Sequence, residues 1–209
     1  KKAIQGPPFH HDGQNFAKMF KIQFLDKDEK KEYAWQNTFA ITTREIGVLI
    51  GVHGDDKGLV LPPKIAPTQV IIIPIFDAKS KKDVLKAAAK IKEQLSDCSV
   101  EIDDRDGYSP GWKFNEAELK GIPLRIEIGP RDLKNKAAVL ARRDTGEKII
   151  VKQTDVVKET KKLLATIQKD MFNRACNFLE ENIHEANNMD AFKQILDKEK
   201  GIIRAGGSN

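Results

Sequence analysis

The sequence predicts an α/β protein, with antiparallel strands first, a mixed sheet covered by helices next, and helices at the carboxyl end. Two observations support this prediction. β-branched runs of strand length alternate with stretches of helical apolar spacing, and hydrophobic residues make up 40% of the chain, enough for a packed core. The tandem prolines Pro62 and Pro63 cannot continue a helix, so we expect a domain boundary at this point.

The part before these prolines is predicted to contain a hairpin and one helix. Residues 16–25 and 33–43 have extended patterns and are joined by the charged stretch 26–32, which is typical of an antiparallel hairpin with a solvated loop. Residues 45–53 form an almost continuous apolar run that fits a short buried helix or a strand. A helix is favoured, because threonines precede the run and Gly54 can end it.

Helical and extended patterns alternate beyond Pro63. Arg125 and Glu127 alternate with apolar neighbours, which predicts a strand with one buried face. Ser80 and Ser109 are predicted helix caps. The predicted elements are strands over 70–76, 100–102 and 124–128, a hairpin of 139–143 with 147–151, and helices over 84–95, 112–119, 156–178 and 192–196, the last ended by Gly201.

Charge and cysteine content narrow the class of protein. A net charge of +5 and a pI near 9.0 weakly favour a polyanionic partner. Two cysteines cannot build a disulfide scaffold or a four-cysteine zinc site, so the expected compartment is the reducing cytoplasm. No apolar run approaches the roughly 20 residues that span a bilayer, so no membrane partner is expected. The sequence begins without methionine, and we expect a fragment of a longer protein.

Two stretches resemble one enzyme family. Residues 36–63, which end in GVHGDDKGLVLPP, resemble the third class-defining motif of prolyl-tRNA synthetases of the eukaryotic and archaeal type. Residues 108–115, YSPGWKFN, and 118–132, ELKGIPLRIEIGPRD, are similar to the anticodon-binding domain of the same enzymes. The resemblance implies the end of a class II catalytic domain over 1–63, an anticodon-binding α/β domain over 64–153, and a helical extension over 154–209 that starts the family's carboxy-terminal domain.

The activity that the resemblance implies is that of a proline–tRNA ligase. ATP and L-proline would be substrates, with Mg²⁺ on the phosphates, and proline tRNA would be the acceptor. No counterpart of the first two class II motifs is visible, so we expect this chain to supply only part of the active site. A homodimer of the full-length enzyme and a multi-synthetase complex are further implied partners, and no zinc site is expected in this chain.

The resemblance also implies residues that contact ATP and proline. Arg44 is the expected catalytic residue, because a guanidinium holds phosphate oxygens through two directed bonds; the alternative is a capping or surface arginine. The implied substrate contacts are Gln5, His10, Gln36, Thr42, Thr43 and Arg44. Metal binding by His10 and its neighbours is not expected, since adjacent histidines seldom point at one ion.

Two departures from the family pattern lie in the same region. The chain has Pro8-Phe9 where the family usually has threonine-serine, and Phe39-Ala40 where it has tryptophan-glycine. They replace a hydroxyl with a ring and add a methyl, which changes pocket shape and hydrogen bonding. A tRNA-binding fragment or a catalytically lapsed relative is therefore the alternative function.

Anticodon recognition needs aromatic faces for unpaired bases and polar groups that reach base edges. Trp112 and Phe114 lie two positions apart and cannot both face the core of a helical domain, so one could be a core residue and the other a surface residue. The expected tRNA contacts are Arg105, Trp112, Lys113, Phe114, Glu116, Glu127, Arg131, Arg142 and Arg143. The alternative for the last four is a solvated sheet edge.

Overall fold

The computed structural model describes residues 4, 6–199 and 201–206. It divides into two compact units, Lys1–Leu49 and Ile50–Asn209. Helices and a mixed five-stranded sheet confirm the predicted α/β class. None of the described helices has both the length and the apolar character needed to cross a bilayer.

The first unit contains two antiparallel strand pairs and a short helix. Its elements are β1 (Phe9–Gly13), α1 (Asn15–Phe20), β2 (Gln23–Leu25), β3 (Lys31–Tyr33) and β4 (Gln36–Phe39). β1 pairs with β4, and β2 pairs with β3. The predicted hairpin is correct only for the short β2–β3 pair. Residues 15–20 are helical because Phe16 and Phe20 share the i, i+4 spacing of a helix, and the left-handed backbone of Lys21, with φ of 56°, ends α1.

Helix α2 (Arg44–His53) confirms the helix predicted before Gly54, but its predicted burial is wrong, since none of its residues is buried. The amide of Arg44 donates to the hydroxyl of Thr42 at 3.3 Å, which satisfies one of the free donors at the start of the helix. The amide of Gly54 donates to the carbonyl of Ile50 at 2.8 Å and closes the last turn.

The second unit is built on the five-stranded sheet. Its strands are β5 (Val70–Pro74), β6 (Val100–Ile102), β7 (Leu124–Ile128), β8 (Ala137–Arg142) and β9 (Lys148–Lys152), in the order β6-β5-β7-β8-β9. β5 is parallel to both β6 and β7, while β8 and β9 continue the sheet in antiparallel pairs. The hairpin predicted around Gly146 is therefore confirmed.

Helices cover both faces of this sheet. The helices are α3 (Lys81–Gln94), α4 (Pro110–Leu119), α5 (Pro130–Lys134) and α6 (Val156–Glu180). Ile72 belongs to the apolar cluster that includes residues of α3 and α6, whereas Ile71 and Ile73 pack with Ala117 of α4. Successive residues of a strand point to opposite faces, so α4 lies across the sheet from α3 and α6.

The long helix α6 starts inside the same core as the sheet. Val156, Leu164, Ile167 and Met171 are all buried members of the larger apolar cluster. A division between residues 153 and 154 stays a prediction, and the packing ties at least the first four turns of α6 to the sheet. Their apolar stripe follows the helical spacing that the sequence predicted.

The carboxyl end adds a small motif that the sequence did not predict. β10 (Ile183–Ala186), α7 (Met189–Lys198) and β11 (Ile202–Ala205) follow α6, and the two strands pair in parallel. Asn188 caps α7, since its side-chain oxygen accepts from the amide of Ala191 at 2.8 Å. The predicted helix over 192–196 is thus the centre of a strand–helix–strand unit.

Strand β7 differs from its predicted one-sided burial, because all five of its residues are buried. Nε of Arg125 donates to the Glu127 carboxylate at 3.0 Å, and Nη1 donates to Glu118 of α4 at 3.3 Å. The Arg125 guanidinium also lies 4.3 Å from the ring centroid of Phe114. Charged side chains can be buried when each has such partners. The alternation of charged and apolar residues in β7 therefore corresponds to two buried faces, and the charged residues of one face form ion pairs.

Candidate nucleic-acid interface

The parallel strands β5, β6 and β7 place three connecting segments at one edge of the sheet. These segments, 75–80, 103–109 and 129–130, each follow a carboxyl end. Ligands of open α/β sheets bind at this edge. Residues predicted to contact tRNA are therefore expected to be exposed near this edge of the sheet.

Arg105, Tyr108 and Trp112, called here the Arg105 cluster, form an exposed aromatic surface at this edge. The rings of Tyr108 and Trp112 stack with centroids 4.1 Å apart, and 47% and 43% of these two residues are exposed. The Arg105 guanidinium lies 5.0 Å from the Tyr108 ring and 5.1 Å from the Trp112 ring. Such a cation–π arrangement holds the rings in place and offers a flat face to solvent.

Carboxylates hold Arg105 in position. Nε and Nη2 of Arg105 donate to the two oxygens of Asp103, each at 2.8 Å, and Nη2 also contacts Glu116. The hydrogen bonds that Arg105 donates to Asp103 and then to Glu116 raise the pKa of Arg105, and the same hydrogen bonds lower the pKa of both carboxyl groups. The guanidinium is therefore charged, oriented and already paired on one side.

Lys113 and Phe114 do not share the exposure of Trp112. Lys113 is 3% exposed, and its ammonium donates to the carbonyl oxygen of Asp103 at 2.9 Å. Phe114 is half-buried and packs against the smaller apolar cluster. Of the two aromatic residues, Trp112 faces solvent and Phe114 faces inward, while Lys113 supports the loop that carries Asp103.

Glu127, Arg142 and Arg143 lie in the interior instead of at the exposed sheet edge that the sequence suggested. Glu127 accepts from Arg125 and pairs with Lys148 at 2.9 Å. Arg142 pairs with Asp144 at 2.9 Å and with Asp170 at 2.7 Å, and the hydrogen bonds that it donates to these carboxylates, Asp144 first, raise its pKa. Each of the three has at least one ion-pair partner that is distant in sequence, so the residue types alone could not indicate burial.

Arg131 is the remaining predicted tRNA contact, and Tyr108 is a residue of the Arg105 cluster that was not predicted. Arg131 is exposed on α5, just after β7, and forms no ion pair within the part of the chain that the structure describes. Tyr108 was missed among the predicted contacts. Tyr108 precedes the extended cap Ser109 and lies outside α4, so helical spacing in the sequence could not have identified it.

The predicted ATP and proline contacts lie in the first unit around two separate cavities. His10 and Gln36 line a cavity of about 510 Å³ on the β1–β4 pair. Thr42 and Arg44 line a second cavity of about 220 Å³ at the start of α2. Thr43 is exposed and lines neither cavity, and Gln5 is outside the described residues. The structure therefore does not bring these residues to one cavity.

No group of three or more His, Cys, Asp or Glu among the described residues is placed to hold a metal ion. His11 instead contacts Asn37, with 2.6 Å between Nδ1 and Oδ1, and stacks on Trp35 with ring centroids 5.7 Å apart. The His11 side chain thus has partners in hydrogen bonding and stacking.

Comparison with known proteins agrees with this geometry. The sequence model of the family described as "Anticodon binding domain" matches residues 69–163, which contain all five strands of the mixed sheet. The chain is similar to proline–tRNA ligases of Natranaerobius thermophilus, at 45% identity over 205 residues, and of Rubrobacter xylanophilus, at 42% over 206 residues. These matches cover 98% of this chain and 42% and 43% of the relatives.

A similar protein of Clostridium botulinum, strain Loch Maree, is also a proline–tRNA ligase, with 47% identity over 205 residues. The chain spans about two fifths of the length of the curated relatives that it matches. The match to their sequence extends across both compact units. Residues 69–163 therefore match the anticodon-binding domain family, and nearly the whole chain is similar to part of these ligases.

Proposed function

We propose that this chain is part of a proline–tRNA ligase and that its second unit recognises the anticodon of proline tRNA. The Arg105 cluster is the observation that carries this proposal. An unpaired base needs an aromatic face for stacking and polar groups for its edges, and the exposed Trp112 face beside a fixed guanidinium offers both. The names of the similar proteins support the same conclusion.

The neighbouring residues would divide recognition between bases and backbone. Arg105 is held by Asp103, so its remaining donors would contact a base edge in one defined orientation. Arg131 is exposed and unpaired within the described residues, which suits an ion pair with a backbone phosphate. Lys113 and Phe114 would act indirectly, by supporting the loop and the helix that present this surface.

The first unit would contribute part of the adenylating site, within the proposed division into 1–63, 64–153 and 154–209. In the proposed reaction the proline carboxylate attacks the α-phosphate of ATP and releases pyrophosphate, and a ribose hydroxyl of tRNA then attacks the prolyl adenylate and releases AMP. Arg44, exposed beside a cavity at the start of α2, would neutralise charge on the phosphates. His10 and Gln36 would line the proline side.

Mg²⁺ would enter this reaction with the ATP phosphates and stabilise their charge. The described residues contain no cluster that would hold the ion by itself, so the nucleotide would carry it. The cytoplasm is the proposed location, with a homodimer or a multi-synthetase complex as the proposed assembly of the longer protein.

Binding of tRNA to the 209-residue chain tests anticodon recognition. We expect proline tRNA to bind more tightly than the same transcript with an exchanged anticodon. Trp112→Ala should weaken binding of the proline transcript by about 1–3 kcal/mol, the usual contribution of one stacked base, and should reduce the discrimination. Trp35→Ala, at an exposed tryptophan of the first unit, is the matched control. Equal affinity for all anticodons would refute the proposal.

A second candidate function, a tRNA-binding protein that does not activate proline, is favoured by one observation. The departures Pro8 and Ala40 line the same cavity as Arg44, and the amide of Ala40 donates to the carbonyl of Pro8 at 3.4 Å. Proline-dependent exchange of pyrophosphate into ATP by the full-length protein separates the two candidates. Exchange that Arg44→Ala abolishes supports the ligase, and its absence in the unaltered full-length protein supports the second candidate.

A further inference from the structure

A cavity of about 910 Å³ lies on the face of the sheet that α3 and α6 cover. Ala87 and Ile91 of α3 and Val157 of α6 form its apolar floor, and Ile91 is buried in the main core. The Arg105 cluster belongs to the segment that leads into α4, which packs on the opposite face. The cavity is therefore a separate feature from the proposed anticodon surface, and its volume is within the range of small-molecule sites, about 300–1,000 Å³.

Three lysines line this cavity, and all three are exposed. They are Lys90 of α3, Lys136 before β8 and Lys152 at the end of β9. None of them forms an ion pair with any residue that the structure describes, and no described lining residue is acidic. Three ammonium groups around one opening repel each other, and a bound anion would relieve that repulsion.

Several other lysines of the same unit are paired with carboxylates. Lys81 pairs with Asp106 at 2.7 Å, Lys148 with Glu127 at 2.9 Å, and Lys161 with Asp97 at 2.6 Å. The three lysines around the cavity, by contrast, form no ion pair with any described residue.

Neutral polar groups accompany the lysines. Gln94, Asn135 and Gln153 line the same cavity, and Nε2 of Gln153 donates to the carbonyl of Ala137 at 3.3 Å. The backbone N–H of Gln153 donates to the carbonyl of Lys136 at 2.8 Å, so the chain segments that carry these groups are joined to each other. Amide side chains both donate and accept, as hydrogen bonding to a base edge requires.

We propose that this cavity binds a nucleotide, with its phosphate among Lys90, Lys136 and Lys152 and its base against the apolar floor. Phosphate is the anion that several free ammonium groups hold best when no carboxylate competes. The apolar floor and the amides suit the planar, hydrogen-bonding part of the same ligand. The nucleotide is either a free mononucleotide or an unpaired nucleotide of a bound RNA.

The test uses the 209-residue chain and the variant Lys136→Gln with Lys152→Gln. Glutamine removes the charge and keeps a long side chain. At Lys136, where φ is 49°, lysine and glutamine both carry a Cβ, so the substitution leaves the backbone strain unchanged. Lys193→Gln with Lys198→Gln, at two exposed lysines of α7, removes the same charge elsewhere and is the control. Calorimetric titrations with AMP, with inorganic phosphate and with tRNA transcripts give the affinities.

Two outcomes support the proposal and identify the source of the nucleotide. If AMP binds and the cavity variant raises its Kd by about tenfold or more while the control does not, the ligand is a free nucleotide. If AMP does not bind but the cavity variant weakens tRNA and lowers the slope of log affinity against log salt by about 1.4–1.8, as loss of two phosphate contacts does, the ligand is an RNA nucleotide.

If the cavity variant and the control bind AMP and tRNA with equal affinity, the proposal is overturned. The same titrations separate this result from a failure of anticodon recognition. The cavity variant should keep the ratio of affinities for native and exchanged anticodons, because that ratio depends on the Arg105 cluster. Loss of the ratio in Trp112→Ala therefore tests the proposed function alone.

Discussion

The guanidinium of Arg143 donates two hydrogen bonds to the carboxylate of Asp55, at 2.7 and 2.6 Å, across 88 positions of the sequence. Arg143 is buried, and its Nε also donates to the carbonyl of Glu118 at 2.8 Å. The loop after α2 and the end of α4 are thereby joined through one side chain. A bidentate pair of this kind gives both energy and geometric specificity.

Asp55→Asn should lower the free energy of unfolding by about 1.5–3 kcal/mol, the usual contribution of hydrogen bonds to charged groups. The value should lie at the lower end, because the Asp55 side chain is 46% exposed and solvent screens the pair. Urea unfolding at neutral pH measures the change. The neighbouring Asp56 is exposed and unpaired among the described residues, so Asp56→Asn should leave stability unchanged.

The same pair should make stability depend on acid. Hydrogen bonds from Arg143 lower the pKa of Asp55 from 3.8 to about 2 in the folded protein. A lowered folded pKa stabilises the protein above the unfolded pKa, and this contribution is lost as the pH falls from about 4 towards 2. The difference in unfolding free energy between the unaltered chain and Asp55→Asn should therefore shrink over that interval. A difference that stays constant from pH 6 to pH 2 would contradict the assignment.

Asp103→Asn should weaken both the fold and tRNA binding. Asp103 is buried, accepts two hydrogen bonds from Arg105, and lies 3.7 Å from the ammonium of Lys113. An asparagine would leave the buried Lys113 charge without its carboxylate, a loss of about 3 kcal/mol when a buried pair is broken. The exposed neighbour allows Asp104→Asn as a control. Titration with proline tRNA should show about tenfold weaker binding for Asp103→Asn alone, because Arg105 loses its orientation.

Gly121→Ala should destabilise the second unit more than Gly146→Ala does. Both glycines have positive φ, 70° and 74°, so alanine strains the backbone at either position by about 1 kcal/mol. Only at Gly121 would the added Cβ also meet another chain segment, with the carbonyl oxygen of Leu59 2.7 Å away. Thermal unfolding of the two variants separates the steric part from the conformational part. Equal midpoints would show that the segment at Leu59 moves aside without cost.

Thr160→Val should raise the free energy of unfolding by about 1 kcal/mol. The Thr160 hydroxyl on α6 is fully buried and has no hydrogen-bond partner among the described residues. Valine has the same shape and removes a polar group that is buried without a partner. Thr166 on the same helix donates to the carbonyl of Lys162 at 2.9 Å, so Thr166→Val is the comparison and should give no gain. Chemical denaturation of both variants measures the difference.

Much of the second unit was predictable because its apolar patterns are strong. The β-branched run in β5 and the Ser109-Pro110 start of α4 each have a local physical cause, and the structure confirms both. The burial of Arg125 and Glu127 could not be predicted in this way. Their partners on α4 and β9 come from other parts of the chain, so an alternating pattern that usually means exposure here marks an ionic second face.

In the candidate interface, too, the sequence could not show which single residues have buried partners. Arg105 and Trp112, both expected tRNA contacts, lie together after the carboxyl end of β6, and their role as contacts stays a prediction. Arg142 and Arg143 have the composition of a phosphate site but lie in buried ion pairs. The local sequence of this arginine pair includes Asp144 but not the distant carboxylates Asp170 and Asp55, which complete the buried ion pairs.

The central position of β5 has a consequence for engineering. This strand is hydrogen-bonded to β6 on one side and to β7 on the other, and all five of its residues are buried. Apart from the buried Asp103, the segments that follow these three strands can therefore change in composition without breaking the ladder beneath them. Grafting such segments from a synthetase of different specificity, with the ladder left intact, offers a direct route to altered codon assignment.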